Sequence, residues 1–440
     1  MEKIMIKKKS LLRTCVTVAA VLIVCCFAQA TQASTVYVGS CHTGSYSTIT
    51  LALAAAAANP AITVIDVCPG YYAEQVTINL TGITLQGVVY THNGTTEDAA
   101  VIIPPSGGLV QNGTVIDSDE PGAALAQILV QNATDVTIKN IVVDAQSSQT
   151  CGSGNIIGIY YENASGTVTN STARNQIENN VNDYGDQCGW GIAAESSGTQ
   201  TLTVTNSSVH NFQKNGIVAR GTNSAGLTLV ATGNTVTGIG PVPTDAGQNG
   251  IEIAFGATGT VKSNYVADVL NPSTNGATGI LLYATTGSPV VELNTIESAD
   301  TGISIDFDGS YGGGGANATI STNHIGGTQT LDAIDLCGAS ETADSNVIYN
   351  ATNSGVHLDD GCTGGGTNST VKSNTFSDAC AGILSGSGAS GNTTTPNTYY
   401  NDGYEQLTGT DTCTLPSGPT SNVKGKSEGQ TAKKAGKARP

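Results

Sequence analysis

Between Gly158 and Ser385 the chain repeats one short pattern: a glycine, an apolar residue, one variable residue, then a second residue that is apolar in nearly every repeat. It occurs at Gly158-Ile159, Gly191-Ile192, Gly216-Ile217, Gly250-Ile251, Gly279-Ile280, Gly302-Ile303, Ala333-Ile334, Gly355-Val356 and Gly382-Ile383. Gly158 to Gly382 spans 224 residues in eight intervals of 22 to 34, a mean of 28. A period of this size with loops of varying length is the mark of a solenoid. Strand side chains alternate between faces. The column Ile192, Ile217, Ile251, Ile280, Ile303, Ile334, Val356, Ile383 therefore shares a face with Ala194, Ala219, Ile253, Leu282, Ile305, Leu336, Leu358, Ser385, and that face is the core. The columns between them, such as Glu252, Leu281, Ser304, Asp335, His357 and Tyr283, Asp306, Cys337, Asp359, are expected to point outward into solvent.

A second half precedes each Gly-Ile strand, as in Thr260–Val266 or Thr370–Phe376. It aligns Ser171, Ser207, Asn234, Asn264, Asn294, Asn323, Asn346 and Asn374 at one position. Asn tolerates left-handed backbone and bonds locally, so these residues are expected at a tight turn. Stacked coil on coil, their amides can also bond to one another. Each repeat reads as strand, Asn turn, strand, loop and Gly-Ile strand. The fold class is all-β, a solenoid of about a dozen coils from Ile62 to Cys413.

The N-terminal residues 1–33 read as a signal peptide. Lys3, Lys7, Lys8, Lys9 and Arg13 precede the apolar run Thr14–Phe27, and small residues follow it. Three of the 11 cysteines lie in that segment. The remaining eight suggest disulfides in an exported chain. Neighbour pairing matches about one coil each: Cys41–Cys68, Cys151–Cys188, Cys337–Cys362 and Cys380–Cys413. Residues 34–413 form one domain, with 34–60 as an N-terminal cap whose Ala-rich stretch Thr48–Ala58 is helical and covers the open first coil. Residues 414–440, with six basic residues against Glu428, are expected to be a disordered tail.

After that helix come the strand Ile62–Val67, a turn at Cys68-Pro69-Gly70, and strands at Gln75–Asn79 and Gly82–Gly87. This stretch, STITLALAAAAANPAITVIDVCPGYYAEQVTINLTGITLQG, resembles the opening coils of the pectin-lyase-like right-handed parallel β-helix superfamily. The resemblance implies three parallel sheets wound right-handed, as parallel crossovers generally are. That superfamily includes pectate lyases, pectin methylesterases and polygalacturonases. The Gly-His-Gly and Arg-Ile-Lys motifs of the polygalacturonases are missing, and Asp359-Asp360 follows its strand, so no catalytic residue carries over from that family.

Charge narrows the partner. Between residues 34 and 413 there are 32 acidic and six basic side chains, a net of −26. Such a body repels nucleic acid and lacks the cation clusters that grip uronates. A polysaccharide or cell-surface glycan fits better, neutral or bridged by Ca²⁺. No cofactor motif is present, and no metal ligand set is assigned; Ca²⁺ is the one ion left open. No transmembrane segment is expected in the mature chain.

Asp306, Asp335, His357 and Asp359 lie on three consecutive Gly-Ile strands and are the candidate catalytic residues. Asp306 and Asp359, two coils apart, would stand about 10 Å from each other, near the upper end for inverting sugar hydrolysis. Asp335 with either neighbour is nearer the retaining distance. Tyr283 and Trp190 are candidate sugar-stacking rings, although Trp190 beside Cys188 also suits packing against the bridge. The insertion Gly309–Ala316 is a candidate groove wall. Glu162, Glu195 and Arg220 form another outward column, read as an ion-pair ladder. Two function classes stay open: a polysaccharide hydrolase, lyase or binding protein, and a non-catalytic, adhesin-like rod at the cell surface.

Overall fold

A computed structural model of the chain describes residues 33–415, apart from 93–94, 98–99, 117–121, 181–187, 223–225, 242–246, 272–275, 308–316, 328–330 and 363. The expected signal peptide up to residue 32, the basic tail from residue 416 on and the Gly309–Ala316 wall lie outside the described residues.

Each coil contributes one strand to each of three parallel sheets of 12 strands, and one sheet carries a thirteenth, antiparallel strand, Gly113–Val115. In one coil these are Thr258–Lys262, Tyr265–Val269 and Thr278–Tyr283. Twelve stacked coils at about 4.8 Å give a rod roughly 53 Å long. The helix α1, Ile49–Ala58, closes the first coil. Thr48 Oγ1 caps it by accepting the Leu51 N–H, and Ile49, Ala52, Leu53 and Ala56 are buried in the core.

The two apolar columns of the Gly-Ile sheet are the core. Ile192, Ile217, Ile251, Ile280, Ile303, Ile334, Val356 and Ile383 are at most 1% exposed. Their register partners are each other, coil by coil. The glycine before them is required by close approach. A methyl group on Gly250 would stand 2.5 Å from the Gly279 carbonyl oxygen and 2.6 Å from Val266 Cγ1.

The Asn ladder forms, with one correction. Asn264 N–H donates to Asn294 Oδ1 at 2.9 Å, and Asn264 Nδ2 donates to the same oxygen at 3.0 Å. The same pair of bonds links Asn294 to Asn323, Asn323 to Asn346 and Asn346 to Asn374. The left-handed residue is not the ladder Asn but the one before it: Ser263, Leu293, Thr322, Ser345 and Ser373 all have φ of 54–58°. That bend turns the next side chain inward, where the amide replaces backbone bonds lost at the corner.

The four disulfides join chain neighbours as the spacing predicts, with Cα–Cα distances of 5.4–6.0 Å. Among the described residues no helix is long and apolar enough to cross a membrane.

Candidate functional site

The outward face of the Gly-Ile sheet is not the open polar surface that alternation alone suggests. Over its first coils the antiparallel strand Gly113–Val115 lies beside Gly122–Gln131 and roofs it. Val115, Leu129, Ile157, Tyr160, Trp190, Ala193 and Val218 form a second apolar cluster there. Trp190 is 1% exposed, and the Arg220 guanidinium stands 4.7 Å over its ring. It therefore offers no face for a sugar, and it lies in a different apolar cluster from Cys188. The Glu162–Glu195–Arg220 column is likewise enclosed. Glu162 and Glu195 accept backbone N–H bonds from Thr114 and Ile116 of the roof, at 3.2 and 2.8 Å, and Tyr160 O–H donates to Glu195 at 2.6 Å. Arg220 pairs with buried Glu252 at 2.8 Å. Burial pushes the Glu252 carboxyl up, but Arg220, Lys214 and the Asn249 amide outweigh it and hold it below its usual range. These groups anchor a roof rather than build a site.

Beyond the roof the acidic block comes together. Asp335 and His357 are direct register partners on adjacent coils, and Ser304 precedes them in the same column. Asp306 shares the next column with Tyr283 and Cys337. Asp335, His357 and Asp359 bring one donor atom each within 4.8 Å of one another. Asp306 stands beside the Cys337–Cys362 bridge, its Oδ1 3.2 Å from Cys362 Sγ. Tyr283 is half-buried, edge-on to Phe255 at 5.3 Å.

His357 is the hub. It is 5% exposed, against the expectation of a solvated outward residue. Its Nδ1 lies 3.5 Å from Asp332 and 3.6 Å from Asp335, and its Nε2 lies 3.5 Å from Asp411. Burial alone would lower the imidazole pKa. The neighbouring Asp332, Asp335 and Asp359 carboxylates reverse that and raise it to about 9. At neutral pH His357 is a cation. Asp335 shifts up too, well above the usual carboxylate range. Burial is the main cause, and Asp332, Asp359 and Asp306 add to it while His357 opposes. Its Oδ1 is buried with no hydrogen-bond partner. The result is one carboxyl pushed up relative to the carboxylates around it, the kind of difference that separates an acid from a base.

Three members were not among the sequence candidates. Asp332 sits in the corner before Ala333-Ile334 and accepts from Ser354 Oγ at 2.6 Å and Asn353 Nδ2 at 2.9 Å. Asp411 follows the last strand. Asn353 links both, donating also to the Asp411 carbonyl at 3.2 Å. Only the Cys380–Cys413 pairing signalled that residue 411 lies near this sheet. Asp359, Asp360 and Asp411 also gather within 4.8 Å. Such oxygens suit a hard cation in type. Asp359 already accepts from Gly361 N–H at 2.8 Å and Asp360 from Gly388 N–H, and we assign this group no ion.

A family model described as a right-handed β-helix region matches residues 190–399. The protein is a right-handed parallel β-helix. No curated protein matches it. Among solved structures the β-helix is similar to the Dettilon tailspike protein, with TM-score 0.50 and 14% identity over 81% of this chain and 65% of that one. It is also similar to a GH87 α-1,3-glucanase from Streptomyces thermodiastaticus, with TM-score 0.52, 16% identity, and 80% and 66% of the two chains covered. A GH136 lacto-N-biosidase from Eubacterium ramulus gives TM-score 0.50 and 11% identity over 85% and 68%. The β-helix thus spans about two thirds of the length of each. At these identities the likeness is one of fold.

Proposed function

We propose that the protein is an exported carbohydrate-active enzyme that hydrolyses glycosidic bonds of a neutral polysaccharide at the Asp335–His357–Asp359 cluster. The observation that carries this reading is the convergence of a half-buried carboxyl with an enclosed Oδ1 and a raised pKa and a second carboxylate, on adjacent coils, within 4.8 Å. That separation suits a retaining pair, whose carboxyl groups stand about 5–5.5 Å apart. Asp335 holds the proton and delivers it to the leaving glycosidic oxygen. Asp359 attacks or stabilises the sugar carbon, and Asp335 then takes a proton from the incoming water. His357 is a positioning residue: its charge keeps the surrounding carboxylates together without joining the bond changes. Asp306, at the rim of the same face, and Tyr283 would contact the bound sugar.

Support for the class comes from the similarity to an α-1,3-glucanase and a lacto-N-biosidase. The net of −26 between residues 34 and 413 disfavours polyuronates. Export is supported by the signal-like N-terminus and the four disulfides. The test is release of reducing ends from a panel of neutral and acidic polysaccharides by the purified mature protein. Release from a neutral polymer, abolished in an Asp335→Asn/Asp359→Asn double variant, is expected. Release that survives both substitutions, or no release from any polymer, overturns the reading.

A further inference from the structure

Asp411 reaches His357 by turning back along the sheet. The last strand, Tyr404–Thr408, lies two coils beyond Ser354–Leu358, with Ala381–Ser385 between them. The chain then reverses. Gly409 N–H donates to Ser385 O at 2.9 Å, and Cys413 bonds to Cys380. Asn353 Oδ1 accepts Cys413 N–H at 2.7 Å while its amide holds the Asp411 carbonyl. Cys413 also packs on the small apolar cluster of Ala381, Leu384 and Leu407. Gly386 leaves room for the arriving carboxylate. A methyl group there would stand 2.6 Å from Asp411 Oδ1 and 2.6 Å from Asp360 Oδ1. The Asp411 side chain itself is 55% exposed, so its place depends on the backbone that carries it.

We propose that the Cys380–Cys413 bridge is a redox latch: oxidised, it straps the 409–415 segment over the site and sets Asp411 against His357 Nε2; reduced, it releases both. The reductant is an external dithiol. Its thiolate attacks one sulfur of the bridge, its second thiol displaces the mixed disulfide, and two electrons and two protons pass to Cys380 and Cys413 as the dithiol closes to its own disulfide. Reduction removes one of the four acidic side chains facing His357 (Asp332 and Asp335 at Nδ1, Asp359 beside the ring, Asp411 at Nε2) and opens the approach to Asp335. The consequence for activity rests on the proposed hydrolytic reading; the latch geometry stands apart from it.

The test follows His357 by NMR titration in full-length mature protein, with the resonance assigned by its loss in His357→Gln. Asp411→Asn should lower the His357 midpoint from about 9. Cys380→Ser/Cys413→Ser should lower it in the same direction, and adding Asp411→Asn to that variant should change nothing more. Amide exchange in 409–415 should rise at least tenfold in the bridge-free protein while Ser354–Leu358 stays protected. Cys41→Ser/Cys68→Ser, at the other end of the rod, should leave the titration unchanged. A bridge-free protein that titrates like wild type, or an Asp411→Asn protein that does, overturns the latch. If the double-Ser variant does not fold, wild type reduced by dithiothreitol, with mass mapping showing thiols at Cys380 and Cys413 only, gives the same readout. A protein that titrates as expected yet cleaves no glycan keeps the latch and loses the hydrolytic reading.

Discussion

Asn294→Ala tests whether the amide ladder holds the coils in register. Asn294 is 1% exposed and makes four side-chain bonds. Its Oδ1 accepts from Asn264 N at 2.9 Å and Asn264 Nδ2 at 3.0 Å, and its Nδ2 donates to Val261 O and Asn323 Oδ1, both at 2.9 Å. Truncation does not harm these partners equally. Asn264 Nδ2 keeps the Ala231 carbonyl, and Asn323 Oδ1 keeps the Asn294 N–H. The Asn264 N–H loses its acceptor while buried, at about 1–3 kcal/mol, and the other losses add about 1 kcal/mol net. The expected cost is about 3 kcal/mol. Serine discriminates between lost bonding and lost volume. The ladder's own first rungs are serines, with Ser207 Oγ accepting Ser171 N–H at 3.3 Å. Asn294→Ser should therefore restore an acceptor for Asn264 and cost about half as much. Because solenoid coils open locally, amide exchange at Asn264 is the direct assay, with urea unfolding beside it. Exchange should accelerate by roughly two decades in the Ala variant, at 1.4 kcal/mol per decade. A change below about 0.5 kcal/mol, or a Ser variant as damaged as the Ala variant, would refute the reasoning.

Three further outcomes follow from single residues. Gly250→Ala should lower the urea midpoint by an amount worth about 1–3 kcal/mol, because its methyl group meets Gly279 O and Val266 Cγ1 at 2.5 and 2.6 Å; an unchanged midpoint contradicts the close-approach account. Leu293, 50% exposed at φ 58°, occupies a left-handed position that penalises branched side chains, so Leu293→Asn should stabilise by about 0.5–1 kcal/mol in the same assay. His357 carries a folded pKa of about 9, above the ordinary unfolded value. Its contribution is complete below about pH 6.5 and is lost as pH rises through 9, at most about 3 kcal/mol. The stability gap between wild type and His357→Gln should accordingly shrink between pH 6 and pH 10, and a gap that widens would contradict the imidazolium.

The repeat made the fold legible because each column must bury the same face in every coil. Ile251 and Ile280 are interchangeable in the pattern and in space. Disulfide pairing was legible for the same reason, since only adjacent coils approach closely. What lies outside the sheets was not. Trp190 and Ala193 face away from the core and are still buried, because the Gly113–Val115 strand, some 80 residues earlier, folds over them. Alternation states which face a side chain takes and carries no information on what covers that face. The Asp335–His357 register was readable from the Gly-Ile alignment. Asp332 and Asp411 were not, as one sits in a corner outside the strand frame and the other returns after the last repeat. The left-handed residue shifted by one position because Asn was assigned the turn by its tolerance, whereas its amide serves the ladder.

The measurement that bears most directly on the central claim is kcat/KM of Asp335→Asn and Asp359→Asn, each alone, on whichever neutral polysaccharide the wild type cleaves. Both carboxylates are assigned to the bond changes, so each variant should lose about 10²–10⁴-fold, with folding intact by circular dichroism. Either variant within threefold of wild type would contradict the assignment of that carboxylate and with it the Asp335–Asp359 pair.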